Sequence, residues 1–330
     1  MDTTRKPEFT IALLHPRYWP NWLWFGLWWL VSQLPYRVQL KLGEWLGRGT
    51  YRLFEQRRYI ARRNIDLCFP HLADAERERM VRDNFIATAT AVFETGMAWF
   101  WSRRRLQKLY TIEGAERLQS RIAQGEGMLL LTLHFTTLEL MGAAVTGMVD
   151  SIAMSYRPHR NPVYDLIQSR QRSRHNKSAV VVAAGDVRGM VRYLKKGYAT
   201  SYLPDQDYGP KHSVFVPLFG IPAATVTGMA RLAKLARVPV IPIVNFRRAD
   251  GQGYVVRILP PLENFPSGDD QRDARQINAH VEKVILDHPE QYLWVHRRFK
   301  SRPPGEADLY QLPKSRSRSR RRRRRRPMAG

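Results

Sequence analysis

His134 and Glu139 stand five positions apart, directly after the apolar run 128–133. An imidazole can take up a proton near neutral pH. A carboxylate beside it can fix its tautomer and stabilise the imidazolium that forms. The pair therefore reads as a general base with its orienting acid. The same spacing recurs at His71 and Glu76, but that copy follows Phe69-Pro70 rather than an apolar run, and Asp74 looks like the cap of a following helix. His71 is thus expected to be a bystander, and a bare match of this kind carries little weight without its structural context.

Other charged residues could join the His134 site. Arg157 follows the strand-like run 152–156, and Arg172 and Arg174 end or follow the next helical segment. An arginine near a base can stabilise an oxyanion or grip a phosphate. Asp205 and Asp207 close the run 198–203, and such a pair at a strand end could chelate a divalent cation carrying a sugar nucleotide. Turn chemistry explains the same residues, because Asp, Gly and Pro favour turns.

Strand-like runs lie at 128–133, 152–156, 179–183, 198–203, 239–244 and 254–259. Helical segments alternate with them. One opens at Asn161-Pro162, one runs from Asp186 to Lys195-Lys196-Gly197, one from Thr227 to Ala236 and a last one from Asp270 to Asp287. This alternation predicts an α/β fold with a mostly parallel sheet flanked by helices. In such folds chemistry sits at the C-terminal edge of the strands, which is where His134 would fall. A long helix is expected over 74–100. It ends in the aromatic cluster Trp99-Phe100-Trp101, read as core because aromatic side chains are large sources of buried area.

Residues 18–36 hold no charge and contain five of the nine tryptophans. A bilayer span needs ~20 apolar residues, and tryptophan prefers the interface. The segment is expected to be a membrane-anchoring helix, either a short span or one lying in the interface, with a buried core helix as the third option. A basic stretch follows, with Arg37, Lys41, Arg48, Arg52, Arg57, Arg58, Arg62 and Arg63. The chain then divides into an N-terminal anchoring segment (1–37), a catalytic body (38–312) and a basic Arg/Ser tail (313–330) expected to be disordered.

Net charge is +25 over 330 residues. Residues 314–330 hold Lys314, nine arginines and no acid, so the body is basic as well. Such a chain suits acidic partners: nucleic acid, an anionic membrane surface, phosphorylated substrates or an acidic carrier protein. Cys68 is the only cysteine, which excludes an intramolecular disulfide and a thiolate zinc cluster. The chain has no G-x-S-x-G elbow, P-loop or G-x-G-x-x-G. A serine hydrolase, a P-loop NTPase and an ordinary dinucleotide enzyme are disfavoured.

Several stretches, taken in order, resemble the late acyltransferases of lipid A biosynthesis of the lauroyl/palmitoleoyl type. They are Leu14-His-Pro-Arg-Tyr-Trp19, Glu94-Thr-Gly-Met-Ala-Trp-Phe-Trp101, His134-Phe-x-x-Leu-Glu139, Tyr156-Arg-Pro-x-x-Asn-Pro162, Asn176-Lys177, Pro204-Asp-Gln-Asp-Tyr-Gly-Pro210, Ser213-Val-Phe-Val-Pro217 and the segment 289–303. The resemblance covers roughly residues 10 to 310 and leaves out the arginine tail. It implies a glycerolipid-acyltransferase-like fold and transfer of a fatty acyl chain, lauroyl foremost, from acyl carrier protein to a hydroxyl on a 3-hydroxyacyl chain of Kdo2-lipid IVA. It implies no cofactor beyond the acyl donor, and no metal. It places the catalytic body at the cytoplasmic face of the inner membrane, against anionic lipids and not nucleic acid. It puts His134 and Glu139 in the catalytic motif, with Arg172 and Asp205 as further functional residues. Arg172 then stabilises an oxyanion or binds a lipid phosphate, and Asp205 holds Arg172 or the fold around it. Two other classes stay open on the residues alone: a metal-dependent glycosyltransferase using Asp205 and Asp207, and a non-enzymatic basic binder of membranes or nucleic acid.

Overall fold

The computed structural model describes residues 7–310, except Lys177 and Ala184. The expected disordered tail lies outside the described residues. The described residues hold nine strands: β1 (Tyr110–Glu113), β2 (Met128–Leu131), β3 (Ala153–Tyr156), β4 (Val180–Ala183), β5 (Ala199–Tyr202), β6 (Ser213–Leu218), β7 (Ile221–Val226), β8 (Val240–Arg247) and β9 (Tyr254–Ile258). The α-helices are α1 (Trp19–Ser32), α2 (Tyr36–Leu53), α3 (Glu55–Cys68), α4 (Asp74–Phe100), α5 (Arg103–Gln107), α6 (Glu116–Ala123), α7 (Leu138–Thr146), α8 (Pro162–Ser173), α9 (Val187–Lys195), α10 (Gly228–Ala236) and α11 (Asp270–Asp287).

The central sheet runs β1-β9-β8-β2-β5. A parallel bridge between Ile152 and Ala199 joins it to the parallel pair β3-β4. Within this sheet the β8–β9 junction is antiparallel and the others are parallel, so the expectation of a mostly parallel, helix-flanked sheet is met. β2 lies at its centre, between β8 and β5. Its four residues alternate between two cores. Leu129 and Leu131 join Val81, Phe85 and Ile277 on one side, and Met128 and Leu130 join Leu118, Val145 and Ile241 on the other. All four are fully buried. That is why the strand reads as a continuous apolar run rather than an alternating one.

The helix termini follow the sequence signals. The Asn161 side chain accepts the N–H groups of Val163 and Tyr164 ahead of Pro162, and Asp186 accepts that of Gly189. These bonds satisfy donors that a helix start leaves orphaned. At α4 the expected cap shifts by one residue. Asp74 is the first helical residue, and the Glu76 carboxylate reaches back to the Ala73 N–H at 2.9 Å. β1 and the β6–β7 hairpin were not expected. The hairpin turns on Phe219 and Gly220, with φ of 50° and 77°, the positive-φ pair that a tight hairpin turn demands.

The uncharged N-terminal run forms a helix but not a span. α1 stops at Ser32 after 14 residues, about 21 Å at 1.5 Å per residue, against ~30 Å of bilayer hydrocarbon. Among the described residues no helix is long and apolar enough to cross a membrane. One face of α1 packs on the body through Phe25 and Trp28, with Trp28 5.3 Å from Trp99. The other exposes Leu23, Trp24, Leu27 and Leu30. α2 then crosses α4 at close range, because a Cβ on Gly43 or Gly47 would collide with Thr90 or the Ile86 backbone. Trp99 and Trp101 are buried, as expected for core aromatics.

Candidate functional site

The site begins with the register of two neighbouring parallel strands. Leu131 at the end of β2 pairs with Tyr202 at the end of β5. Three residues beyond each stand His134 and Asp205. Both chains leave the sheet edge in step, and the two side chains meet. Asp205 Oδ1 lies 2.7 Å from His134 Nδ1, and Oδ2 accepts the His134 backbone N–H at 2.8 Å. Asp205 is 1% exposed. Burial works against its charge, but the facing imidazole and the backbone donors outweigh it and hold the carboxyl below the usual carboxylate range. An ionised carboxylate can only accept, so Nδ1 carries a proton, and in the neutral ring the lone pair then falls on Nε2.

The expectation that Glu139 orients His134 is therefore corrected. Glu139 begins α7, and its carboxylate is taken by other donors. Arg172 Nε reaches both oxygens at 3.1 and 3.2 Å, a second Arg172 nitrogen donates to Oε1, and Trp99 Nε1 donates to Oε2 at 2.9 Å. The expectation that Asp205 holds Arg172 or the fold around it is corrected in its first part: Arg172 bonds Glu139, and Asp205 holds the His134 ring and its backbone N–H. The physical reason is direction: α7 carries the Glu139 side chain towards α8 and α4, whereas the loop after β5 delivers Asp205 to the imidazole. Burial opposes the charge on Arg172, and the adjacent Glu139 carboxylate more than compensates, raising its pKa above the ordinary arginine value.

His134, Glu139 and Arg172 share the wall of one cavity of about 290 Å³. Beyond them its lining is largely apolar, drawn from α7 and β3, with Leu138, Met141, Val145, Ile152 and Met154 among the residues facing it. Polar groups at one region of an apolar cavity suit a ligand with a reactive head and a hydrocarbon body. Arg157 is not part of this wall; it is exposed in the loop after β3. Arg174 donates to the Trp99 carbonyl instead of facing the cavity. His71 is exposed, its ring tilted against that of Phe69, and its Glu76 serves the helix start.

Asp205 and Asp207 do not converge on a common point. Asp207 accepts from Gly209 N at 2.8 Å, which is turn chemistry, and from Ser301 N and Oγ at 2.6 and 2.8 Å, which tie the turn to a distant segment. Its own N–H donates to His296 Nε2, an imidazole that burial pushes down to about 4. Among the described residues no group of three or more His, Cys, Asp or Glu is placed to hold a metal ion. The donor set that a glycosyltransferase reading requires is already committed elsewhere.

The segment 289–303 forms the floor under the histidine. Leu293 N donates to the His134 carbonyl at 3.0 Å, Thr136 N to the Gln291 carbonyl at 2.8 Å, and Phe135 bridges Tyr292. Two buried asparagines hold that segment from the helical layer. Asn84 Nδ2 donates to the Glu290 and Tyr292 carbonyls, and Asn64 Nδ2 to those of Trp294 and His296. Neither was expected; an isolated Asn within a helix gives no sign of a carbonyl partner more than 200 residues away.

The family model for the bacterial lipid A biosynthesis acyltransferase matches residues 6–301. The chain belongs to that family. This acyltransferase is 46% identical to the lipid A biosynthesis lauroyltransferase of Escherichia coli K12 over 308 residues, 93% of this chain and 100% of the relative. It is 41% identical to the palmitoleoyltransferase of the same organism, over 92% of this chain and 98% of the relative. A more distant likeness, 28% identical over 92% and 94%, is to the E. coli myristoyltransferase. These relatives differ in the acyl chain that their names record. The match ends before the arginine tail, in keeping with the expectation that the tail lies outside the resemblance.

Proposed function

We propose that this acyltransferase moves a fatty acyl chain, lauroyl foremost, from an acyl carrier protein thioester to a hydroxyl on a 3-hydroxyacyl chain of Kdo2-lipid IVA. The observation that carries the reading is the Asp205-held imidazole on the wall of a mainly apolar cavity. Nε2 of His134 takes the proton of the acceptor hydroxyl as its oxygen attacks the thioester carbonyl carbon. The new C–O bond forms and the carbonyl oxygen becomes an oxyanion, towards which Arg172, fixed by Glu139, supplies positive charge. When the intermediate collapses the C–S bond breaks, and the departing thiolate takes the proton from His134. Asp205 stabilises the imidazolium between those two transfers. The acyl chain lies in the cavity lined by α7 and β3. A basic surface suits both the phosphorylated acceptor and the acidic carrier.

We place the reaction at the cytoplasmic face of the inner membrane, with the protein seated in the interface by α1 and α2. Three stripes on α2 support this seat. Gln39, Gly43 and Gly47 face the body; Val38, Trp45, Leu46 and Leu53 are exposed and apolar; Arg37, Lys41, Arg48 and Arg52 are exposed and basic. An apolar stripe flanked by a basic one is the pattern of a helix lying in the headgroup region. Trp28 of α1 touches Trp99, which bonds Glu139, so the seat stands one aromatic layer from the cavity.

Offering the purified protein Kdo2-lipid IVA with a set of acyl carrier thioesters, and weighing the products by mass spectrometry, tests the function. A mass gain matching one added acyl group, with lauroyl preferred, is expected. No gain with any thioester would overturn the reading, and a preference for another acyl chain would overturn the lauroyl assignment alone.

A further inference from the structure

Gly142 is one of the α7 residues that line the cavity. It stands three residues beyond Glu139 and four before Thr146, both of which also line the cavity. At 1.5 Å per residue that is roughly 4.5 Å past the carboxylate, with about 6 Å of helix still to run. A Cβ built on Gly142 meets no atom within 4 Å. The contrast with Gly43 and Gly47 is informative. Those glycines are small because a neighbouring helix occupies the space a side chain would need. At Gly142 the space is open. Its backbone is ordinary helix rather than the positive-φ conformation that favours glycine. Glycine in a helix interior is otherwise disfavoured relative to alanine, so neither packing nor backbone geometry accounts for it here.

We propose that Gly142 sets the length of acyl chain this enzyme accepts, by leaving the cavity passable where a side chain would narrow it. The proposal rests on the reading of the cavity as the acyl site. An acyl chain whose carbonyl lies at His134 and Arg172 and whose tail runs along α7 has to pass Gly142. A side chain added here would project into that passage. Alanine would narrow it, and leucine would close it to chains long enough to run on beyond Gly142, leaving only those that end before it.

The experiment compares wild type, Gly142→Ala and Gly142→Leu with butyryl, octanoyl, lauroyl, myristoyl and palmitoyl carrier thioesters. Gly26→Leu is the control, since Gly26 also has open space around its Cβ site but sits on the exposed part of α1. Thermal unfolding of each variant reports folding separately from turnover. The expected result is a stepwise shift towards shorter chains, Ala then Leu. The butyryl-to-myristoyl ratio of kcat/KM should rise at least about tenfold for Leu, the lower end of what one methylene of pocket discriminates. Gly26→Leu should keep the wild-type profile. Wild-type chain preference in both Gly142 variants overturns the proposal while leaving the acyl-site reading intact. An equal loss for all chain lengths in variants that unfold at the wild-type temperature also overturns it. If wild type itself transfers from no thioester, the reading of the cavity falls and the proposal falls with it.

Discussion

His134 and Asp205, 71 positions apart in sequence, meet at 2.7 Å because β2 and β5 are parallel neighbours in register. The backbone N–H of His134 joins the same carboxylate at 2.8 Å, so Asp205 fixes both the ring and the peptide that carries it. A carboxylate so placed selects one tautomer and leaves Nε2 as the free acceptor. Glu139, the residue nearer in sequence, is spent on Arg172 and Trp99.

Asp205→Asn should therefore act like loss of the base. An amide at this position can present its N–H₂ to Nδ1 and favour the wrong tautomer. Turnover is expected to fall on the order of 10²–10⁴-fold, as for His134→Ala, and the double variant should be no worse than the more damaging single one. His71→Ala should keep near-normal turnover. Asp205→Asn with wild-type kcat would remove Asp205 from the machinery.

Glu139 and Arg172 should behave as one unit of a different kind. If Glu139 positions the guanidinium, Glu139→Gln and Arg172→Ala each lower kcat, and their effects are strongly non-additive in a double-mutant cycle. A coupling of about 1–3 kcal/mol is expected, within the range for residues in direct contact. Additive losses would mean that the two side chains serve separate steps.

Glu94 and Arg247 form a pair that serves the fold rather than the reaction. Arg247 Nε donates to Glu94 Oε1 at 2.6 Å, and the Tyr254 hydroxyl to the same oxygen at 2.8 Å. Glu94 is 1% exposed. Removing one member of a buried pair strands the other, at a cost of roughly 3–5 kcal/mol. Glu94→Ala should lose about that much stability in denaturant titrations, with turnover per folded molecule largely retained. A loss within 1 kcal/mol, about that of an exposed ion pair, would show that the pair is not energetically buried.

Acid sensitivity should be traceable to His280. Burial, with Lys283 beside it, pushes this imidazole down to about 4, and its Nε2 has no hydrogen-bond partner among the described residues. Because the folded value lies below the unfolded one, the unfolded chain takes up the proton first as pH falls. The contribution is present above about 6.5 and is lost between there and about 4. At roughly 1.4 kcal/mol per pH unit, it is worth at most about 3 kcal/mol. His280→Leu should lose less stability than wild type between pH 7 and pH 5 in parallel denaturant titrations. Identical losses would assign the sensitivity to other groups.

What could be read from the sequence follows from the range of the interactions. β2, α8 and α9 carry their signals locally: a run of apolar residues, an Asn-Pro start, an Asp cap with a glycine close. The position of His134 at a strand end was legible for the same reason. Its partner was not, because only pairing of β2 with β5 brings Asp205 alongside, and register is a property of two strands. The sequence did hold one usable sign, a charged residue just after each of two apolar runs. β6 and β7 were hidden by Pro217 and Pro222, which weaken a strand reading, and by a Phe-Gly turn in place of the usual Asn-Gly. Phe219 tolerates that conformation with its N–H bonded to Glu282 at 2.5 Å.

The last prediction separates the two helices of the membrane seat. α1 contributes exposed Leu23, Leu27 and Leu30 and no charge, whereas α2 contributes Trp45, Leu46 and Leu53 beside Arg37, Lys41, Arg48 and Arg52. Their salt responses should differ, because apolar insertion is insensitive to ionic strength while headgroup attraction is screened within ~8–10 Å. Serine at Leu23, Leu27 and Leu30 should weaken binding to vesicles at every salt concentration. Glutamine at Arg37, Lys41, Arg48 and Arg52 should weaken binding to anionic vesicles at low salt only, by up to ~1 kcal/mol per residue, with no effect on neutral vesicles. All these residues are exposed and none lines the cavity, so turnover on detergent-dispersed acceptor should be unchanged in both sets. If the glutamine set binds anionic vesicles like wild type at low salt, α2 does not lie against the headgroups and the seat reduces to α1. If the serine set also binds like wild type, the exposed faces of both helices are turned away from lipid.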